Sequence, residues 1–167
     1  MNFRVPASLS RTGAVLGVAV ALLLASGCSK GSDKPAAAPS PPALRCTKAP
    51  EATVASTLGT PVNQAVETDQ IPVTVCTYPL TSGKGVVVLR FQSVVDSGRF
   101  AEIRKGFSGS TTDLAGYHDE AFTATHGSGA NALNSVAARK GDVAIVITAP
   151  APVNKEKALI DQLFSTI

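Results

Sequence analysis

The sequence predicts an α+β domain over residues 45–167, in which three helices pack on a mainly antiparallel sheet of four to five strands. Two observations lead to this fold class. Short runs rich in Val, Ile and Thr are separated by turn residues, which is typical of hairpins. Helical patterns stand at the start, in the middle and at the end, without a regular strand-helix-strand series. The predicted order of elements is therefore α-β-β-α-β-β-β-α.

The first half of the domain predicts a helix and then a hairpin. Residues 50–59 have proline at the first helical position, apolar residues four apart and a final glycine, as a short helix does. Strands are predicted over 73–78 and 85–92, because β-branched residues dominate both runs. The run 86–89 is apolar on both faces, so we expect a central strand that is covered on each side.

The second half predicts a helix over 97–105, with Phe100 and Ile103 on one side and a glycine after its end. Three strands follow, at residues 121–125, 132–138 and 142–148. The last two strands are joined by 139–142, where glycine can take positive φ in a tight turn.

The final helix shows the clearest pattern. Asn154 is expected to cap it, and Glu156 lies in its first turn, where a negative charge is favourable. The predicted apolar stripe of this helix consists of Leu159, Ile160, Leu163, Phe164 and Ile167.

Residues 1–27 are predicted to be a cleaved lipoprotein signal peptide. Arg4 and Arg11 precede an apolar run over 13–25, and small residues then lead directly to Cys28. As a helix the run would extend only roughly 20 Å, short of the ~30 Å hydrocarbon core. The end of the leader resembles the lipobox of bacterial lipoproteins, which implies lipid attachment at Cys28 and cleavage after Gly27. The alternatives are an ordinary secretory signal beside a chance cysteine and an uncleaved membrane anchor.

The chain has three cysteines, and lipidation of Cys28 accounts for the odd one. Cys46 and Cys76 then form an even pair in an oxidising compartment, where disulfides persist. We therefore predict a disulfide between them. The alternative is a pair of reduced thiols or a redox pair.

Residues 28–44 are predicted to be the lipidated cysteine followed by a disordered tether. The segment is rich in Pro, Ala and Ser and lacks aromatic residues, so it cannot bury enough apolar surface to offset the entropy lost on ordering. The full chain carries 15 basic and 12 acidic side chains. Since Arg4 and Arg11 leave with the leader, the mature chain is nearly neutral, and no nucleic-acid partner is expected.

Several short motifs of the domain also resemble a known group of proteins. They are Cys46 before a helix that ends Leu58-Gly59-Thr60-Pro61-Val62, the strand Cys76-Thr77-Tyr78, the segment Gly116-Tyr117-His118-Asp119-Glu120-Ala121-Phe122, and the hairpin Ala138-Arg139-Lys140-Gly141-Asp142-Val143. Together they are similar to small actinobacterial lipoproteins whose domains are of unknown function. His118 stands where that group usually has glycine. The resemblance implies export, a lipid anchor, a disulfide and an α+β domain, and it carries over no catalytic residue.

The densest group of potentially reactive side chains lies at His118, Asp119, Glu120 and His126. Such groups can ligate a metal or transfer protons. On a strand, however, His118 and Glu120 would point to one face and Asp119 to the other. We therefore expect a solvated turn and strand entry, with no catalytic residue, no metal and no cofactor.

These observations predict a non-enzymatic binding or structural domain in the cell envelope. The protein would be lipid-anchored to the membrane on its extracytoplasmic side, and its partner would be an envelope protein or polymer. Two alternatives stay open. One is an envelope hydrolase that uses His118, Glu120 and His126. The other is a lipid or small-ligand carrier, in which the aromatic side chains line a cavity between sheet and helices.

Overall fold

The computed structural model describes residues 44–128 and 132–167. The predicted signal peptide, the lipid site at Cys28 and the tether up to residue 43 lie outside the described residues. The described residues contain a short 3₁₀ helix at Cys46–Lys48 and three α-helices: α1 Glu51–Leu58, α2 Ser97–Lys105 and α3 Val153–Phe164. Their strands are β1 Val66–Gln70, β2 Val73–Pro79, β3 Val86–Ser93, β4 Thr111–Asp113, β5 Glu120–His126, β6 Leu133–Lys140 and β7 Val143–Ala149.

These seven strands form one antiparallel sheet in the order β1-β2-β3-β7-β6-β5-β4. Two meanders, β1 to β3 and β4 to β7, are each joined by local hairpins. Pairing of β3 with β7 unites them, in register from Val88 with Thr148 to Ser93 with Val143. Helix α2 lies in the connection between the two meanders.

The predicted fold is wrong in its strand count and element order. The sheet has seven strands instead of four to five, and the order of helices and strands within the described residues is α-β-β-β-α-β-β-β-β-α. The two additional strands, β1 and β4, are the edges of the sheet. Both are short, and all five β1 residues are exposed. Edge strands of this polar type lack the apolar alternation by which strands are predicted.

The main core lies between one face of the sheet and helices α1 and α3. Tyr78 of β2 and Phe91 of β3 are completely buried in this core, which also contains Leu159 and Leu163 of α3. Helix α3 begins one residue after Pro152, which occupies the N-cap position, so the predicted cap at Asn154 is wrong. Proline provides a suitable φ at this position, and the helix starts there without a side-chain cap.

The opposite face of the sheet is only partly covered. Phe100 and Ile103 of α2 pack on Phe122, Ala137 and nearby residues of β5 to β7. Across β1 to β3 the same face carries no helix of the described residues, and Val86 of β3 is 39% exposed. The prediction that the apolar run 86–89 is covered on both sides is therefore wrong for this face.

A disulfide joins Cys46 to Cys76, with their Cα atoms 5.6 Å apart, which confirms the predicted bridge. It fastens the 3₁₀ helix to β2. The same segment is also held to β1, because the Glu67 carboxylate accepts hydrogen bonds from the Cys46 amide and from Arg45, each at 2.8 Å. These two hydrogen bonds lower the pKa of Glu67. No α-helix of the described residues is long and apolar enough to cross a membrane.

Replacing both bridged cysteines by alanine is expected to lower the free energy of unfolding by roughly 3–4 kcal/mol, because the bridge constrains the unfolded chain across 30 residues. Urea unfolding of the Cys46→Ala/Cys76→Ala variant measures this loss. Cys28→Ala is the matched control and should leave the unfolding free energy unchanged. A loss below about 1 kcal/mol in the double variant would contradict the stabilising role.

Candidate functional site

The predicted site residues His118 and Glu120 line an open cleft of about 360 Å³ between α2 and the loop from β4 to β5. Phe100 and Arg104 of α2 form one side of the cleft. The loop and the adjoining strand ends form the other side. The cleft combines aromatic surface with charged groups, so its chemistry depends on how those charged groups are paired.

The loop turns sharply between the two strands. The Leu114 amide donates to the carbonyl of Ala121 at 3.0 Å, which closes the loop at its base. Gly116 has φ +75° and His118 has φ +54°. A left-handed backbone costs a non-glycine residue about 1–2 kcal/mol, so the contacts of the His118 side chain must offset this cost. The sequence predicts a solvated turn and strand entry here. His118 lies in the turn, two residues before β5, but its side chain is largely shielded from solvent.

The His118 imidazole is held on three sides. Its Nε2 lies 2.9 Å from Oδ1 of Asp161 on α3. Its ring packs between the rings of Tyr117 and Phe164, with centroid distances of 4.4 and 4.7 Å. Only 16% of the side chain is exposed. These contacts dock the loop on α3, and they fix the orientation of the imidazole.

Tyr117 strengthens the same contact. Its hydroxyl donates to the carbonyl of Lys157 at 2.8 Å, and the Lys157 ammonium lies 4.4 Å from its ring centroid. Burial and the nearby carboxylate of Asp161 both disfavour the phenolate, so the pKa of Tyr117 is raised. The tyrosine is therefore a neutral hydrogen-bond donor over the ordinary pH range.

The two acidic residues that follow are bound to the hairpin between β6 and β7. Asp119 accepts a hydrogen bond from the Gly141 amide at 2.7 Å. Glu120 accepts from the Ser97 hydroxyl and, at 2.7 and 3.0 Å, from two guanidinium nitrogens of Arg139. The Ser97 hydrogen bond, with further help from Arg139, lowers the pKa of Glu120. Both carboxylates therefore fasten elements of the fold together.

His126 lies at the other end of β5 from His118. The intervening strand separates the two histidines by roughly 20 Å at about 3.3 Å per residue. The ring of His126 stacks on Phe107, with a centroid distance of 5.7 Å. The structure thus does not bring His118, Glu120 and His126 to one point. In residues 44–128 and 132–167, no group of three or more His, Cys, Asp or Glu side chains is placed to hold a metal ion.

Two residues that matter for the chemistry of the domain, Asp161 and Glu156, are not among the site residues that the sequence predicts. Asp161 pairs with His118 across 43 residues of sequence, and no local pattern indicates this contact. Glu156 is completely buried, whereas the sequence indicates only a favourable acid in the first turn of α3. A signal for its burial was present, because Glu156 precedes Leu159, Ile160 and Leu163 by three, four and seven residues and so continues their apolar stripe.

Glu156 is the most strongly perturbed carboxyl among the described residues. Burial raises its pKa from the ordinary value of 4.5 to about 9, while the amides of Ala149 and Val136 oppose the shift and are outweighed. Neither carboxyl oxygen has a hydrogen-bond partner of good geometry in the described part of the chain. The group is therefore protonated, and uncharged, near neutral pH.

Comparison of the chain with protein-family models, with curated proteins and with solved structures gives no match in any of the three.

The buried carboxyl predicts a specific pH dependence of stability. Between pH 4.5 and about 9 the folded chain holds a proton on Glu156 that the unfolded chain has lost. The unfolding free energy should therefore fall as pH rises, by up to about 1.4 kcal/mol per pH unit. Glu156→Gln should remove this part of the slope, as measured by urea unfolding at a series of pH values. Glu51→Gln, at an exposed glutamate of α1, is the matched control. Equal slopes in the wild type and Glu156→Gln would refute the assignment.

The two tyrosines of the chain should both ionise above the ordinary pKa of 10. Burial raises the pKa of Tyr78 to about 12, and Tyr117 is shifted in the same direction. Ultraviolet titration of the phenolates, with circular dichroism to confirm that the chain is folded, measures both. Tyr117→Phe should leave a single transition near 12. A tyrosine that titrates near 10 in the folded chain would contradict the described packing.

Proposed function

We propose that this chain is an exported lipoprotein, anchored through acyl chains on Cys28, whose domain binds a partner in the cell envelope. The observation that carries the proposal is the Cys46–Cys76 disulfide. It uses two of the three cysteines of the chain, and disulfides persist in oxidising compartments. Cys28, at the end of the apolar leader, is thereby left available for lipid attachment.

The cleft supports a binding or structural role for the domain in preference to catalysis. Its potentially reactive groups are engaged in contacts that hold the fold. His118 is paired with Asp161, and Glu120 with Arg139 and Ser97. A catalytic site instead needs its acid, base and nucleophile directed to a common point. The predicted hydrolase and carrier alternatives stay predictions.

A lipid anchor of this kind would keep the domain close to the membrane. One acyl chain gives only marginal membrane affinity, whereas two or three hold a protein stably. A folded domain on a lipid anchor is confined near the membrane and meets its partners at raised effective concentration. Even a modest binding surface on the domain would then be sufficient for function.

Metabolic labelling with an alkyne fatty acid tests the anchor in a bacterium that processes lipoproteins. The wild-type chain should incorporate the label, be shortened by its leader and sediment with membranes. Cys28→Ser removes the thiol and should abolish both labelling and processing. Ser29→Ala, one residue further on, is the matched control and should behave as the wild type. Undiminished labelling of Cys28→Ser, or a wild-type chain that carries no label, would overturn the proposed anchor.

A further inference from the structure

The three-stranded part of the sheet leaves one of its faces uncovered by the described residues. The open half-face is defined here as the surface formed by Val66, Val73, Val75, Val86, Val88 and Arg90. The pairing registers place these side chains on one side of β1, β2 and β3. The same side of β5 to β7 is covered by α2.

The open half-face is rich in valine but is not uniformly apolar. The registers place Thr68, Gln70, Thr77, Pro79 and Gln92 on the same side of β1 to β3 as its five valines and Arg90. Four of the five large hydrophobic residues that are exposed in the described chain lie on β1 to β3 or at their ends: Val66, Ile71, Val86 and Val94. Scattered exposed apolar residues are ordinary, but a contiguous apolar surface marks an interaction site.

Arg90 gives this surface its chemical specificity. Its registered neighbours on the same face are Val75 and Val146. Its guanidinium donates to Gln92 at 2.6 Å, whereas its Nε is buried without a partner. None of the ion pairs within the described residues involves Arg90. A guanidinium in such surroundings is best satisfied by a carboxylate, which can accept two parallel hydrogen bonds.

The dimensions of the open half-face fit one helix. Three strands at about 4.8 Å spacing give a surface roughly 14 Å wide, and the eight residues of β3 extend roughly 26 Å. A helix is about 10 Å across, and 18 residues of helix extend about 27 Å. Helix α2 already shows this mode of packing on the neighbouring half of the same face.

We propose that the open half-face binds an amphipathic helix of a partner protein, whose apolar stripe carries one carboxylate that pairs with Arg90. The proposal deepens the binding role stated above and rests on it. A second copy of this chain fits less well, because a two-fold face-to-face dimer would bring two Arg90 guanidinium groups towards each other without a negative charge.

A displayed library of 18-residue helices, with randomised positions along the apolar stripe, supplies the probe. The target is the full chain, reconstituted in nanodiscs of phosphatidylcholine. Selected helices should carry aliphatic residues along the stripe and Asp or Glu at one position within it. Replacing that acid by lysine should weaken binding to the wild-type chain at least tenfold, as measured by fluorescence anisotropy.

Variants of the chain complete the test. Arg90→Glu should weaken binding of the selected helix at least tenfold. The helix in which lysine replaces the acid should bind the Arg90→Glu chain with most of the lost affinity restored. Arg99→Glu, at an exposed arginine of α2, is the matched control and should change affinity less than twofold. The effect of replacing the acid of the helix by lysine is measured on the wild-type chain. The proposal can therefore be tested even if the Arg90→Glu variant folds poorly.

Several outcomes would overturn the proposal. They are the absence of any selected helix, selected helices without an acid preference, binding that Arg90→Glu leaves unchanged, and a wild-type chain that dimerises through this surface. If helices are selected only after residues 29–43 are deleted, this segment of the chain itself occupies the surface. That result would also overturn the proposal. None of these outcomes affects fatty-acid labelling at Cys28, so failure of this inference is distinguishable from failure of the proposed anchor.

Discussion

The ladder between β3 and β7 is the contact on which the rest of the domain depends. It joins two meanders that are distant in sequence, and it places Leu89 and Phe91 beside Ile147 and Ile145. Only the joined sheet provides a continuous apolar face broad enough for α1 and α3 together. A pairing of such long range closes a large loop and is entropically costly. Burial of four large side chains in adjacent rows offsets that cost.

The elements that follow a clear periodicity could be predicted from the sequence, and those that depend on distant contacts could not. Strands β2, β3 and β7 and helix α3 bury regular apolar patterns. The edge strands β1 and β4 are polar, so they are defined only by the neighbour with which they pair. The contact between His118 and Asp161 likewise requires the fold to bring α3 to the loop. Glu156 could have been identified from its place on the apolar stripe, but its charge favoured a solvent-exposed interpretation.

The described helices cover one face of the sheet more completely than the other, and the proposed binding role follows from this difference. A strand that is apolar on both faces, such as the run 86–89, normally has a layer on each side. Here α1 and α3 supply one layer, and α2 reaches only β5 to β7 on the other face. The cleft shows the opposite situation, since its polar groups are paired with one another. Within residues 44–128 and 132–167, the polar groups that the sequence indicates as reactive are therefore paired with one another. Part of the apolar surface that the sequence assigns to a core is left exposed.

The position of the disulfide has a mechanical consequence. A pull on the amino-terminal end of the domain enters at Leu44 and meets the covalent link from Cys46 to Cys76 within two residues. The force therefore passes directly into β2, which is hydrogen-bonded on both sides. The edge strand β1 is attached to the same segment only through the hydrogen bonds of Glu67 with Arg45 and Cys46. A load applied at this end of the domain thus reaches a strand inside the sheet through a covalent bond, even where the hydrogen bonds at the sheet edge break.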